Sequence, residues 1–182
     1  NIDRIAEEGM SFSDAHATSA VCTPSRYSIL TGRYNWRSWL KQHVTFGYSP
    51  PLIEADRLTV PAFLKKHGYK SACIGKWHLG WDWPKHSDNE EDVDFSQPIA
   101  NGPTTRGFDY FFGISASLDM PPYVYVENER PTAIPQERVP ASSGKKMWRE
   151  GPIAPDFKHE DVLPRLKEKA VDCIDTSPQE GN

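Results

Sequence analysis

The sequence predicts an α/β fold, a mostly parallel sheet flanked by helices and joined by long loops. Three features of the chain predict it. Residues 59–80 read as a helix, a tight glycine, a strand and then a loop rich in reactive side chains, the order in which α/β proteins present sites at the C-terminal ends of strands. The runs "RGFDYFFGI" and "YVYV" add aromatic strand candidates. The 16 prolines, against 12 glycines, are scattered without a period, which marks long irregular connections and not a low-complexity tract.

Taken in order, "NIDRIAEEG" enters as a helix, with Ile2 and Ile5 spaced for one face and Gly9 ending it. A polar segment leads to Cys22. Thr23 is suited to cap the next helix, Pro24 to its first turn, and Gly32 to the stop after "SRYSILT". A further helix starts near Thr59, directs Val60, Phe63 and Leu64 inward and stops at Gly68. "YKSACIG" follows as a strand, and "KWHLG" leaves it as a loop. Residues 81–105 are polar, and the six acids between Asp82 and Asp94 lack the register of a calcium loop, so the stretch reads as a solvated surface loop. Residues 127–158 form an extended excursion. The last helix begins near Asp161, takes Pro164 in its first turn, and aligns Leu163, Leu166, Ala170, Cys173 and Ile174, which places Cys173 in the core.

The 182 residues are 37% hydrophobic, 12% aromatic and 25% charged, with a net charge of −4. That balance gives no electrostatic case for nucleic acid or an anionic membrane. No apolar run is long enough to serve as a transmembrane segment, and no signal peptide is visible. The 3 cysteines, Cys22, Cys73 and Cys173, are odd in number and far apart, which argues against a disulfide framework and against a zinc pair.

Cys22 stands at the mouth of a helix, where unpaired N–H groups and a partial positive charge favour anions. Arg26, one turn along, adds a permanent cation able to grip an oxyanion. A thiol there would gain nucleophilic character; the plain alternative is a small buried residue ahead of an ordinary helix. A tyrosine-phosphatase loop would need arginine at position 28, which is Ser28, and neither a papain-like flank nor further zinc ligands are present.

Cys22-Thr23-Pro24-Ser25-Arg26, followed by "YSILTGR", resembles the C-x-P-S-R signature of the type I sulfatases. Gly75-Lys76-Trp77-His78-Leu79-Gly80 matches that family's second signature in the family's order, and "RGFDYFFG" is similar as well. The resemblance implies an alkaline-phosphatase-like sulfatase fold, with residues 1–182 forming part of a single catalytic domain truncated at both ends. It implies that a separate formylglycine-generating or other modifying enzyme reads Cys22, Pro24, Ser25 and Arg26 and oxidises Cys22 to Cα-formylglycine. The hydrated aldehyde would cleave sulfate esters of a sulfated small molecule or glycan. Arg26 would hold the diol, Lys76 would bridge diol and sulfate, His78 would move a proton as sulfate leaves, and Ser117 in "GISASLD" would touch the sulfate. Localisation would be periplasmic, secreted or lysosomal.

The family metal, usually calcium, takes an Asp-Asp pair, the formylglycine and a later Asp-Asn pair. Of these only position 22 is expected within this sequence, since Asp88-Asn89 falls in the wrong order. One ligand cannot satisfy a cation that wants about six to eight oxygens, so this stretch alone is expected to be marginally stable and without useful sulfatase activity. Two other readings stay open: a non-catalytic sulfatase-like protein binding sulfated ligands through Arg26, Lys76 and Ser117, and a phosphonate or phosphate monoester hydrolase of the same superfamily. Trp81, Trp83 and Tyr123 are candidate sugar-facing aromatics. Cys73 is expected to be a packed small hydrophobe, and His16, His43, His67, His86 and His159 to be structural or solvated.

Overall fold

Two parallel strands form the centre of the molecule. The computed structural model describes residues 2–176. Helix α1 spans Ile2–Glu8 and α2 spans Cys22–Thr31. Helix α3 spans Val60–Lys65 and strand β1 spans Ala72–Lys76. The chain then crosses residues 77–109 to β2 (Tyr110–Ile114), which pairs with β1 in parallel from Ala72 opposite Tyr110 to Lys76 opposite Ile114. Strands β3 (Val126–Glu127) and β4 (Arg130–Pro131) extend the same sheet antiparallel, so the expected parallel core is completed as a mixed sheet in the order β1-β2-β3-β4. A separate two-stranded ribbon joins β5 (Glu137–Val139) to β6 (Gly151–Ile153) inside the 127–158 excursion. Helix α4, Val162–Thr176, closes over the sheet.

The helix boundaries follow local chemistry. Gly32 ends α2 in the left-handed conformation, φ 64°, with its N–H on the Ser28 carbonyl at 2.9 Å. Thr59 caps α3 by accepting the Ala62 N–H at 3.3 Å. Thr23, by contrast, is not a cap: Val21 holds that position without a side-chain bond, and Thr23 lies inside the helix, fully buried. The facing of α3 and α4 also differs from the periodic pattern. Val60 and Phe63 are exposed because the short α3 seats Pro61 instead. On α4, Leu163 and Ile174 point to water, and Val162, Leu166, Lys169 and Cys173 form the inner stripe, with Cys173 half-buried and not in the core. Lys169 reaches over the Phe112 ring at 4.8 Å to donate to Glu127 at 2.9 Å. Both isoleucines of α1 are exposed.

Aromatic packing dominates the core. Trp81, Trp83 and Tyr123 belong to it, at 1%, 5% and 1% exposure, which removes them as sugar-facing side chains. The reason lies in the turn after β1. Gly80 adopts φ 68° against the backbone of Pro50, where a Cβ would sit 2.0 Å from the Pro50 carbonyl oxygen. This turn drives both indoles inward. Trp81 meets Trp83 and Phe111 edge-on at 5.3 and 5.9 Å, and Trp83 donates to the Gly47 carbonyl at 2.8 Å. The six acids of residues 82–94 are exposed or half-buried, as expected of a solvated loop, while Val93 among them turns into the core. Cys73 is packed in β1, and burial pushes its thiol up to about 11. Among the described residues no helix is long and apolar enough to cross a membrane.

Candidate functional site

The two sequence segments meet at the start of α2 and the end of β1. Cys22 opens the helix with its side chain half-buried, and Arg26 follows four residues on, one turn along the same face. Arg26 Nη1 donates to the carbonyl of Lys76, the last residue of β1, at 2.5 Å. A guanidinium carries five N–H donors, so this bond ties helix to strand and leaves the rest of the fork for an anion. Pro24 is buried in the first turn of α2, and Ser25 donates to the Ser19 carbonyl at 2.8 Å, which steadies the approach to Cys22.

Lys76 and Ser117 come from neighbouring strand ends. The parallel ladder continues past β1, since Trp77 N–H bonds the Ile114 carbonyl and His78 N–H bonds the Ser115 carbonyl, each at 2.9 Å. That carries the β2 exit beside Lys76, whose Nζ donates to Ser117 Oγ at 3.2 Å. A hydroxyl that accepts from an ammonium keeps its own proton to donate elsewhere.

His78 is the most constrained residue of the group. It is fully buried and sits at φ 56°, a conformation uncommon for anything but glycine. Three partners hold its backbone there: its N–H is bound by Ser115, and its carbonyl accepts Thr23 Oγ1–H and Thr45 Oγ1–H, both at 3.0 Å. The ring is held by a fourth bond, Nε2–H to the Thr45 carbonyl at 2.6 Å. Since a carbonyl only accepts, Nε2 carries the proton and Nδ1 has the lone pair. Nδ1 is buried and has no hydrogen-bond partner among the described residues. Burial above all, helped by the charges of Lys76 and Arg26 and opposed by the Thr45 carbonyl and Asp119, lowers the imidazole to about 4.

Thr23, Thr45 and Asp119 were not legible as site residues from sequence. Thr23 carries a helix-cap signature that the fold overrides, and Thr45 lies in an irregular segment without a motif. Asp119 pairs with Arg149 through Nη1, and its backbone carbonyl accepts the Arg149 N–H at 3.0 Å. Its place two residues after Ser117 was the one available hint.

The described residues do not fit a calcium ion, for they contain no group of three or more His, Cys, Asp or Glu side chains that could hold a metal. Asp88 and Asn89 lie out in the exposed loop. Cys73 and Cys173 are on β1 and α4, and neither joins Cys22.

The sulfatase family model matches residues 1–170. The N-acetylgalactosamine-6-O-sulfatase of Bacteroides thetaiotaomicron is 41% identical over 128 residues, 70% of this chain and 24% of that protein. Arylsulfatase G of Canis lupus familiaris is 41% identical over 122 residues, 66% of this chain and 19% of its own length. A solved structure from the metabolism of multiple glycosaminoglycans by Bacteroides thetaiotaomicron superposes with a TM-score of 0.75 at 29% identity, covering 96% of this chain and 42% of that one. The matched stretch is thus a quarter or less of these curated relatives.

Proposed function

The chain belongs to the sulfatase family, and from that premise we propose that Cys22, converted to Cα-formylglycine, serves a sulfuric ester hydrolase acting on a sulfated glycan or small molecule. The observation that carries this reading is the bond from the Arg26 guanidinium to the main-chain carbonyl of Lys76, which ties the helix that Cys22 opens to the strand end that carries Lys76. Once modified, residue 22 would supply a hydrated aldehyde: one hydroxyl would attack sulfur and displace the alcohol, and loss of the second hydroxyl's proton would re-form the aldehyde and expel sulfate.

This chain's own side chains supply the rest. Lys76 Nζ bridges the diol and the sulfuryl oxygens, where charge builds as the ester bond breaks, and the remaining N–H groups of Arg26 hold the diol. Ser117 donates its hydroxyl proton to the same group while accepting from Lys76. Nδ1 of His78 takes the proton shed as sulfate is expelled. The imidazole is neutral above about pH 4, so this lone pair is present at ordinary pH. Burial is the main reason the ring is a weak base, and an anion held by Lys76 offsets part of the smaller contribution from the neighbouring charges.

Pro24 is buried and Ser25 and Arg26 are engaged in the folded chain. This agrees with a modifying enzyme that reads the four residues before folding. The test is mass spectrometry of the peptide containing residue 22, from protein made in a host that modifies other sulfatases, together with turnover of an aryl sulfate by the full-length enzyme. An aldehyde at residue 22, and turnover that Cys22→Ala abolishes, support the reading. An intact thiol in protein that hydrolyses the ester overturns it.

A further inference from the structure

The C-x-P-S-R signature leaves its second position open, and in this chain Thr23 fills it. The Thr23 hydroxyl makes two bonds at once. Oγ1–H donates to the His78 carbonyl at 3.0 Å, and the same oxygen accepts the Thr45 N–H at 3.2 Å. Thr45 completes the circuit. Its own hydroxyl donates to the His78 carbonyl at 3.0 Å, and its carbonyl takes the Nε2 proton at 2.6 Å. The two hydroxyl oxygens lie 3.3 Å apart. Thr23, Thr45 and His78 are all buried, so bulk water does not replace a lost partner.

The circuit runs between the two reactive positions. Thr23 is covalently joined to residue 22. At the other end is the imidazole whose Nδ1 has no partner among the described residues. Thr23 Oγ1 fixes the Thr45 main chain, and the Thr45 main chain fixes the ring. His78 is held at φ 56°, a conformation that a residue other than glycine keeps only where its surroundings over-determine it. A carbonyl oxygen has two lone pairs, and the two threonine hydroxyls use both on His78.

We propose that Thr23 is a positioning residue: acting through Thr45, its hydroxyl sets where His78 Nδ1 stands relative to residue 22, and so governs the expulsion of sulfate. The inference rests on the proposed function. In that step Nδ1 takes the proton of the second hydroxyl as the aldehyde re-forms and the C–O bond to sulfate breaks. Attack on sulfur and departure of the alcohol come earlier and do not use the circuit. A misplacement of about 1 Å costs about 10²-fold in rate, and here the loss falls on one half of the cycle.

The test compares the full-length enzyme with Thr23→Val, Thr23→Ser and Thr45→Val on an aryl sulfate, each corrected for the aldehyde content of residue 22 by mass spectrometry. Rapid quench follows alcohol release in the first turnover, and the steady state reports the whole cycle. Thr23→Val is expected to release its first alcohol at the wild-type rate and then to turn over about 10²-fold more slowly, with sulfate retained on the peptide containing residue 22. Thr23→Ser keeps the hydroxyl and is expected to restore turnover. Thr45→Val keeps the carbonyl that holds the ring, loses one bond to His78, and is expected to slow the steady state by less. Unchanged steady-state turnover in Thr23→Val, a first turnover slowed as much as the steady state, or a serine variant as slow as the valine one overturns the proposal. Should Thr23→Val fail to fold, Thr45→Val is judged by the same measure: slowing confined to the steady state supports the proposal, and unchanged or evenly slowed turnover overturns it. An intact thiol in wild-type protein that hydrolyses the ester marks failure of the parent reading, a result distinct from all of these.

Discussion

His78 gives its Nε2 proton to the carbonyl oxygen of Thr45 over 2.6 Å, and this one bond decides which ring nitrogen stays basic. The acceptor is backbone, so no side-chain substitution at position 45 removes it. The lone pair on Nδ1 is left buried and unmatched. Leaving a buried polar atom unpaired costs about 1–3 kcal/mol.

Replacing that ring is therefore expected to strike late in turnover. His78→Ala should lower kcat of the full-length enzyme by about 10²–10⁴-fold with a smaller change in KM. Rapid-quench mass spectrometry should find sulfate retained on the peptide containing residue 22. Undiminished kcat in a folded variant would remove His78 from the reaction.

The same residue gives the fold a pH limit. Its folded value, about 4, lies below the ordinary value of 6.5, so between these two pH values the unfolded chain binds more protons. Stability is then full above about pH 6.5 and falls as pH drops toward 4, by about 3 kcal/mol in all. Urea midpoints measured from pH 7.5 to 4 should fall through this window, and His78→Gln should flatten the slope.

Thr23 is fully buried and holds the junction by donating to the His78 carbonyl and accepting the Thr45 N–H at 3.2 Å. Thr23→Val keeps the shape and removes both bonds. A loss of about 1–3 kcal/mol is expected, visible as a lower Tm by about 2–4 °C for each kcal/mol.

Arg26→Lys keeps the charge and loses the planar fork that binds the Lys76 carbonyl. The expected outcome is a drop in kcat of about 10²-fold with native-like circular dichroism. Wild-type kcat in this variant would show that charge alone is enough.

Trp81→Ala empties a site where the indole is 1% exposed and touches Trp83 and Phe111. A destabilisation of about 3–5 kcal/mol is expected, read as a shifted denaturation midpoint, and larger than that of any substitution in the exposed stretch 85–90.

Much of this molecule is legible in its sequence where local chemistry decides. Gly32 stops α2 because only a left-handed residue satisfies Ser28, and the strands around Cys73 and Phe111 follow from their apolar runs. What sequence hides is tertiary. Thr23 has the pattern of a cap and serves as a cross-brace, and Trp81 has the composition of a binding platform and fills the core. Val60 and Leu163 obey helical spacing yet face water, since a short helix buries only what its neighbours reach. Lys76, His78 and Ser117 were readable as candidates through motif resemblance, but Thr45, whose backbone oxygen orients the imidazole, carries no mark that a linear text can display.

The paired indoles just past Gly80 act as a bulkhead between the reactive end of the chain and the solvated stretch that follows. Substitutions in the exposed stretch 85–90 fall on the solvent side of that partition. A protein engineer seeking positions that tolerate change can begin on that side of the wall.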